Sequence, residues 1–168
     1  QREAQRILIE ESLKESEEKF RNLIQSTDDG IILNDDRGVI LEWNIGMEKI
    51  FGISADEAIG RTLIEIASRC SPEDEDAGNV ETWLSSILKE LDNKDTPSKN
   101  PTIEVSIRIP DGRIRVIEAK NFYFNSHGQV FYGGIVRDIT GRRKAEETLV
   151  ESEEELQNLI ESSGDGII

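Results

Sequence analysis

At 168 residues and 36% hydrophobic content, the chain has room for one core of ordinary size and not for two complete domains. Its 35 acidic against 20 basic side chains give a formal charge of -15, which repels phosphate backbones and anionic lipid and argues against nucleic-acid or membrane contact by this piece. A lone cysteine, Cys70, excludes an internal disulfide framework and points to a reducing, cytoplasmic setting, and the sequence holds neither a membrane-length apolar run nor a signal-peptide pattern.

Residues 1 to about 27 are rich in Glu, Lys, Arg and Gln, lack Gly and Pro, and place Ile9, Leu13, Phe20 and Leu23 near heptad a and d spacing. That predicts a helix with one apolar seam, interrupted by Arg6 and Ser16. The seam serves either a coiled coil or packing on the helix's own domain. After Asp29-Gly30, the runs Ile31-Ile32-Leu33 and Val39-Ile40-Leu41-Glu42-Trp43 flank the turn former Asp35-Asp36-Arg37-Gly38 and predict a hairpin. Met47, Ile50 and Phe51 recur at helical spacing before Gly52, and Ser54 with Glu57 has the form of a capping box.

Val80, Trp83, Leu84, Ile87, Leu88 and Leu91 carry the strongest helical periodicity in the chain. From Thr102 the period becomes two, with Ile103, Val105, Ile107 and Ile109 on one side. Pro110-Asp111-Gly112 turns the chain into a run from Arg113 to Phe124, whose phase shifts between Val116 and Ile117, the signature of a β-bulge. Asn125-Ser126-His127-Gly128 supplies the next hairpin turn, before a last strand from Val130 to Thr140. Two strands, several short helices and a three-stranded meander make an α+β arrangement with the helices on one face.

A near-repeat adds a second level of organisation. ESLKESEEKFRNLIQSTDDGII at 11–32 returns as ETLVESEEELQNLIESSGDGII at 147–168, with 14 of 22 positions identical across an offset of 136. That offset matches a domain plus a connecting helix, not a solenoid. The expected division is therefore a linker helix at 1–19, one domain at 20–140, a second linker helix at 141–155, and the start of a sibling domain at 156–168. The outgoing connector places Ala145, Leu149, Leu156 and Leu159 where the first has its seam.

The segment from about Phe20 to Glu147 resembles a PAS domain. The resemblance is carried by Gly38-Val39-Ile40-Leu41-Glu42-Trp43-Asn44, Met47-Glu48-Lys49-Ile50-Phe51-Gly52, Ser54-Ala55-Asp56-Glu57, Ile59-Gly60-Arg61 and Ser71-Pro72-Glu73-Asp74. Pro110-Asp111-Gly112-Arg113 and the run from Asp138-Ile139-Thr140 to Glu147 complete the series, whose order and spacing are more specific than any one member. Such a resemblance implies a five-stranded antiparallel sheet of order 2-1-5-4-3, covered on one side by short helices that can enclose a cavity. It also implies a sensory or dimerising module of a multidomain signalling protein, such as a sensor histidine kinase, with neighbouring PAS and effector domains in the same chain. A homodimer through the flanking helices, the sheet, or both is expected on the same ground.

Chemistry is sparse. The single histidine, His127, falls in a predicted turn tip, and no paired carboxylates, nucleophile with base, or Gly-rich nucleotide loop stand out, so the fragment itself is read as non-catalytic. One His and one Cys cannot supply a soft metal cluster, and Glu73-Asp74-Glu75-Asp76 lacks the alternating spacing of a calcium loop. Haem is disfavoured because haem-binding relatives use a His on the long helix, and 79–91 has none. Photoactive flavin is disfavoured because the Asn-Cys-Arg-Phe run of the light-sensing relatives is replaced by Thr62-Leu63-Ile64 after Gly60-Arg61. No cofactor is expected.

An unidentified small ligand is left open: Trp43, Leu63, Ile66, Trp83, Ile87, Val105, Ile107, Val116 and Ile135 could line a pocket or simply fill a core. Gly133-Gly134 could make room for such a ligand or for a twisted backbone. Asp138 and Thr140, where the last strand passes into the outgoing helix, are the candidate signal joint, a role the resemblance supplies; helix capping is the alternative.

Overall fold

Period-two alternation and short capped helical segments build the layers of this molecule, a computed structural model that describes residues 2–72 and 102–164, with Ser71 and Pro72 by backbone alone. The acidic run from Glu73, the periodic segment carrying Trp83 and Ile87, and the final 165–168 lie outside the described residues. In chain order the elements are α1 (Arg2–Gln25), β1 (Gly30–Asn34), β2 (Ile40–Trp43), α2 (Ile45–Phe51), α3 (Ala55–Ala58), α4 (Leu63–Ala67), β3 (Ser71–Pro72), β4 (Thr102–Arg108), β5 (Ile114–Ser126), β6 (Gln129–Asp138) and α5 (Thr140–Gly164).

All strands join one antiparallel sheet of order β2-β1-β6-β5-β4-β3. The two-residue β3 only extends the β4 edge, so the five principal strands have the expected 2-1-5-4-3 order. The first strand lies in the middle beside the last, and α2, α3 and α4 pack with one sheet face around Ile40, Ile53, Ile107 and Ile117. Each short helix has a local reason to start. Asn44 caps α2, whose C-terminus is closed by Gly52 in the left-handed conformation at φ 66°. Capping boxes of Ser54 with Glu57 and Thr62 with Glu65 open α3 and α4.

The expected bulge at Val116 and Ile117 does not exist. Register runs unbroken from Thr102↔Lys120 to Arg108↔Ile114 on one side of β5 and from Ile117↔Asp138 to Ser126↔Gln129 on the other. Both faces of β5 carry apolar residues at that point: Ile117 and Ala119 enter the core, whereas on the other face Val116 is half-buried beside the start of α5 and Ile114 is exposed. Where the ladder does slip is between Leu33 and Asn34, with Leu41 the extra residue opposite. The β5–β6 turn places His127 and Gly128 at φ 52° and 81°, the sign combination of a type I′ hairpin.

Asn44 ties the incoming helix to this frame. It is 1% exposed, and its amide makes four hydrogen bonds. Nδ2 donates to the carbonyls of Ile24 (2.9 Å) and Asp29 (3.0 Å); Oδ1 accepts from the N–H groups of Ile31 (2.7 Å) and Met47 (3.0 Å). The end of α1, the start of β1 and the first turn of α2 thus share one side chain. Gly46 lets them approach, since a Cβ there would lie 2.2 Å from the Asp29 carbonyl oxygen.

Beyond this knot the long helices stand apart. In α1 only Ile24 is buried, and in α5 nothing is; Ile9, Leu13, Phe20 and Leu23 are all exposed. Packing on its own domain therefore does not account for the α1 seam. Each helix is continuous through the boundary expected from the repeat, at 19/20 and 155/156.

Replacing Asn44 by Ala removes a helix cap and leaves buried backbone groups unpaired, for an expected loss of on the order of 3 kcal/mol or more. The check is the urea midpoint of the purified chain; a loss under about 1 kcal/mol, the worth of the cap alone, would show that the other three bonds are dispensable.

Candidate functional site

A cavity of about 60 Å³ lies between the helix-covered sheet face and α4. Of the residues expected to line a pocket, Trp43, Leu63, Ile66, Val105 and Ile107 are brought together there. Trp83 and Ile87 fall outside the described residues. Val116 and Ile135 belong to the other face. On β5 the inward positions are Ile117 and Ala119, which sends Val116 outward beneath α5; on β6 Val136 points in and Ile135, 41% exposed, points out. For Val116 the reason is the phase of β5, since a strand with apolar residues on both faces carries no clean alternation.

Trp43 is 2% exposed, tilts against Phe51 at 5.6 Å between ring centroids, and donates its indole N–H to the Ile53 carbonyl at 2.9 Å. Its polar end is thus already used within the protein. Gly133 and Gly134 have different reasons to be glycine. On the outer face a Cβ at Gly133 would meet the Phe122 ring at 2.4 Å; on the inner face a Cβ at Gly134 would crowd Ile32 Cγ2 at 3.1 Å and Asn121 Oδ1 at 3.2 Å.

Among the lining residues that the sequence reading did not name for the pocket are two amides, Asn34 and Asn121. Asn34 is 7% exposed. Its Oδ1 and Asn121 Nδ2 are buried without a hydrogen-bond partner among the described residues, a condition that most buried polar atoms avoid. The signal was present as a polar residue at an inward position of an apolar strand, but only pairing with β6 shows which positions are inward. Cys70, also on the lining, is held as the thiol: burial pushes its pKa up to about 11, against a smaller downward pull from Arg69.

The strand-to-helix joint is a compact set of bonds. Asp138 Oδ1 accepts from the Thr140 N–H at 2.9 Å and its hydroxyl at 2.5 Å, while Oδ2 accepts from Arg115 Nη1 at 2.5 Å. Thr140 Oγ1 in turn accepts the Val116 N–H at 2.9 Å, and the Ile139 N–H donates to the Val116 carbonyl at 2.8 Å. Burial acts to raise the Asp138 pKa, but the bonds from Thr140 and the Arg115 guanidinium outweigh it and hold the carboxyl below its usual value. The group is therefore charged throughout the neutral range.

Next to it, Arg137 forks onto Asp29 at 2.9 and 2.6 Å, and those bonds hold the Asp29 carboxyl low. One turn into α5, Arg142 and Arg143 reach Glu104 on β4, and Arg142 also lies 3.7 Å from Glu118 on β5. Two consecutive residues, Arg137 and Asp138, thereby connect the loop after α1 to the first residue of α5.

Comparison with known proteins agrees with this architecture. A family model described as the PAS fold matches residues 18–139. The chain belongs to the PAS family. Sporulation kinase E of Bacillus subtilis (strain 168) is 28% identical over 164 residues, 96% of this chain and 20% of the kinase; the chain thus spans about a fifth of that relative. The PAS domain of an HTR-like protein from Haloarcula marismortui superposes with a TM-score of 0.55 at 25% identity, covering 77% of this chain and 97% of the other. A PAS domain from Colwellia psychrerythraea gives 0.57 at 25% identity, covering 74% and 97%.

A neutral, buried thiol is a poor nucleophile. Cys70 is expected to stay unreacted with a chromogenic disulfide reagent at neutral pH in the folded chain and to react fully in urea. Prompt reaction without denaturant would show that the site is open or the thiol activated.

Proposed function

We propose that this chain is a sensory and dimerising PAS module that relays a signal from its core to an effector C-terminal to it, in a cytoplasmic protein of the two-component histidine kinase type. The observation that carries the reading is the adjacency of Arg137 and Asp138. One is tied to Asp29 beside the incoming helix, the other to Arg115 and to Thr140 at the head of the outgoing helix. A shift of β6 relative to β5 must break or move these bonds, and α5 would feel it at its first residue. The similarity to a sporulation kinase supports a kinase context. No helix among the described residues is long and apolar enough to cross a membrane.

The domain division proposed is a linker helix at 1–19, the PAS core at 20–140, a linker at 141–155 and the beginning of a sibling at 156–168. Support comes from one pair of counterparts. Ile24 enters the core at the end of α1, whereas Ile160, its equivalent in the repeat, is 71% exposed on α5. A residue type that docks α1 onto a core is thus repeated with no core beneath it among the described residues. The exposed seams of both helices support pairing between two copies of the chain.

A second reading is a spacer that holds the connectors in register and senses nothing. It is favoured by the small size of the cavity and by the internal use of the Trp43 N–H.

For the relay, Asp138→Ala in the full-length parent is expected to change output several-fold while the isolated domain stays folded; unchanged output with an intact fold would reject it. For pairing, Leu13→Glu with Leu23→Glu is expected to shift the sedimentation of this chain from dimer to monomer without loss of ellipticity from the sheet. A wild-type chain that sediments as a monomer at high concentration would remove the helical seam from the model.

A further inference from the structure

Asn34 and Asn121 give the cavity a polarity that its other walls lack. Among the described residues the remaining lining is almost wholly apolar, and none of it is charged. Asn34 Oδ1 presents an unmet acceptor and Asn121 Nδ2 an unmet donor. They stand on either side of β6: Asn121 lies opposite Gly134 on β5, and Asn34 lies opposite Tyr132 on β1. The missing side chain at Gly134 leaves the floor between the two strands low, with Asn121 Oδ1 folded over it.

Burying an amide without a partner costs free energy that a leucine of similar volume would not. Two such groups facing one cavity are the arrangement expected where a ligand supplies the missing partners. We propose that the cavity binds a small, uncharged molecule bearing both a hydrogen-bond donor and an acceptor, a short-chain amide or urea, with its donor on Asn34 and its acceptor on Asn121. An anion is disfavoured, since no cationic side chain among the described residues lines the site and a carboxylate would be desolvated without a counter-charge. A cation is disfavoured for the matching reason. Size sets a further limit, because about 60 Å³ admits a molecule of roughly four to six non-hydrogen atoms and not an aromatic ring system.

The inference rests on the sensory reading in that binding is what would give the relay something to report. Its failure is separable, because the Asp138 experiment does not involve the cavity.

The test is a titration of the isotopically labelled chain with propionamide, with propionate and 2-butanone as near-isosteres that lack neutrality and the donor respectively. Propionamide is expected to shift the side-chain amide signals of Asn34 and Asn121 and the backbone amide of Gly134 saturably, at a Kd on the order of 1 mM for so small a ligand. Propionate and 2-butanone should bind at least tenfold more weakly. Asn34→Leu and Asn121→Leu should each weaken propionamide at least tenfold while the unliganded variants melt at or above the wild-type temperature, since each removes an unmet polar group. That combination separates a binding role from a structural one. If propionamide leaves those signals unmoved up to its solubility limit, if propionate binds as well, or if the Leu variants bind it undiminished, the proposal is overturned; ordered water alone would then be the occupant.

Discussion

Four hydrogen bonds from one buried amide hold the ends of three elements together. Asn44 is the cap of α2, but its Nδ2 also takes the Ile24 and Asp29 carbonyls, and its Oδ1 takes the first interior N–H of β1. A serine or aspartate could cap the helix. Neither could also donate two bonds, so only a carboxamide with its oxygen and nitrogen in this orientation satisfies all four backbone groups. Because β1 is central in the sheet, fixing its start fixes the place where α1 meets the core. Gly46 is the steric counterpart of that bond set, removing the side chain that would otherwise hold α2 away from Asp29.

The same region shows how the two long helices join one core with almost no packing on it beyond Ile24. Asp29 offers its carbonyl to Asn44 and its carboxylate to Arg137. The next residue along β6, Asp138, is bonded to Arg115 and Thr140. A short polar line across β6 thus links the loop after α1 to the first residue of α5. Such bonds are directional and discrete. Arg142 and Arg143 add a looser, solvent-exposed hold on Glu104, of the kind that salt weakens.

Asn34 and Asn121 are the two amides that line the cavity on the helix-covered face of the sheet, and these are also residues whose chemistry local sequence could not assign. Asn44 has one partner within a helical turn, the Met47 N–H, and three that lie 13 to 20 positions back in the chain. Asn34 and Asn121 sit in strands joined only through β6, more than 80 residues apart in sequence. Nothing adjacent to either one distinguishes an inward, unpaired amide from an ordinary turn or edge asparagine.

The 2-1-5-4-3 strand order was available only as what the resemblance to PAS domains implies, whereas local pattern alone was enough for the helix ending at Gly52, the Ser54–Glu57 capping box, the hairpin at Asp35–Gly38, the reversal at Pro110–Gly112 and the His127–Gly128 turn. These features depend on interactions between residues a few positions apart, which a linear reading contains. Tertiary structure decided which face each strand shows to the helices. It placed Ile117 in the core and Val116 under α5, put Ile135 outside, joined Asn34 and Asn121 to one cavity, and linked Asp29 to Arg137 across 108 positions. The physical reason is that a strand's two faces become different only when something packs on them, and what packs on β5 and β6 comes from distant parts of the chain.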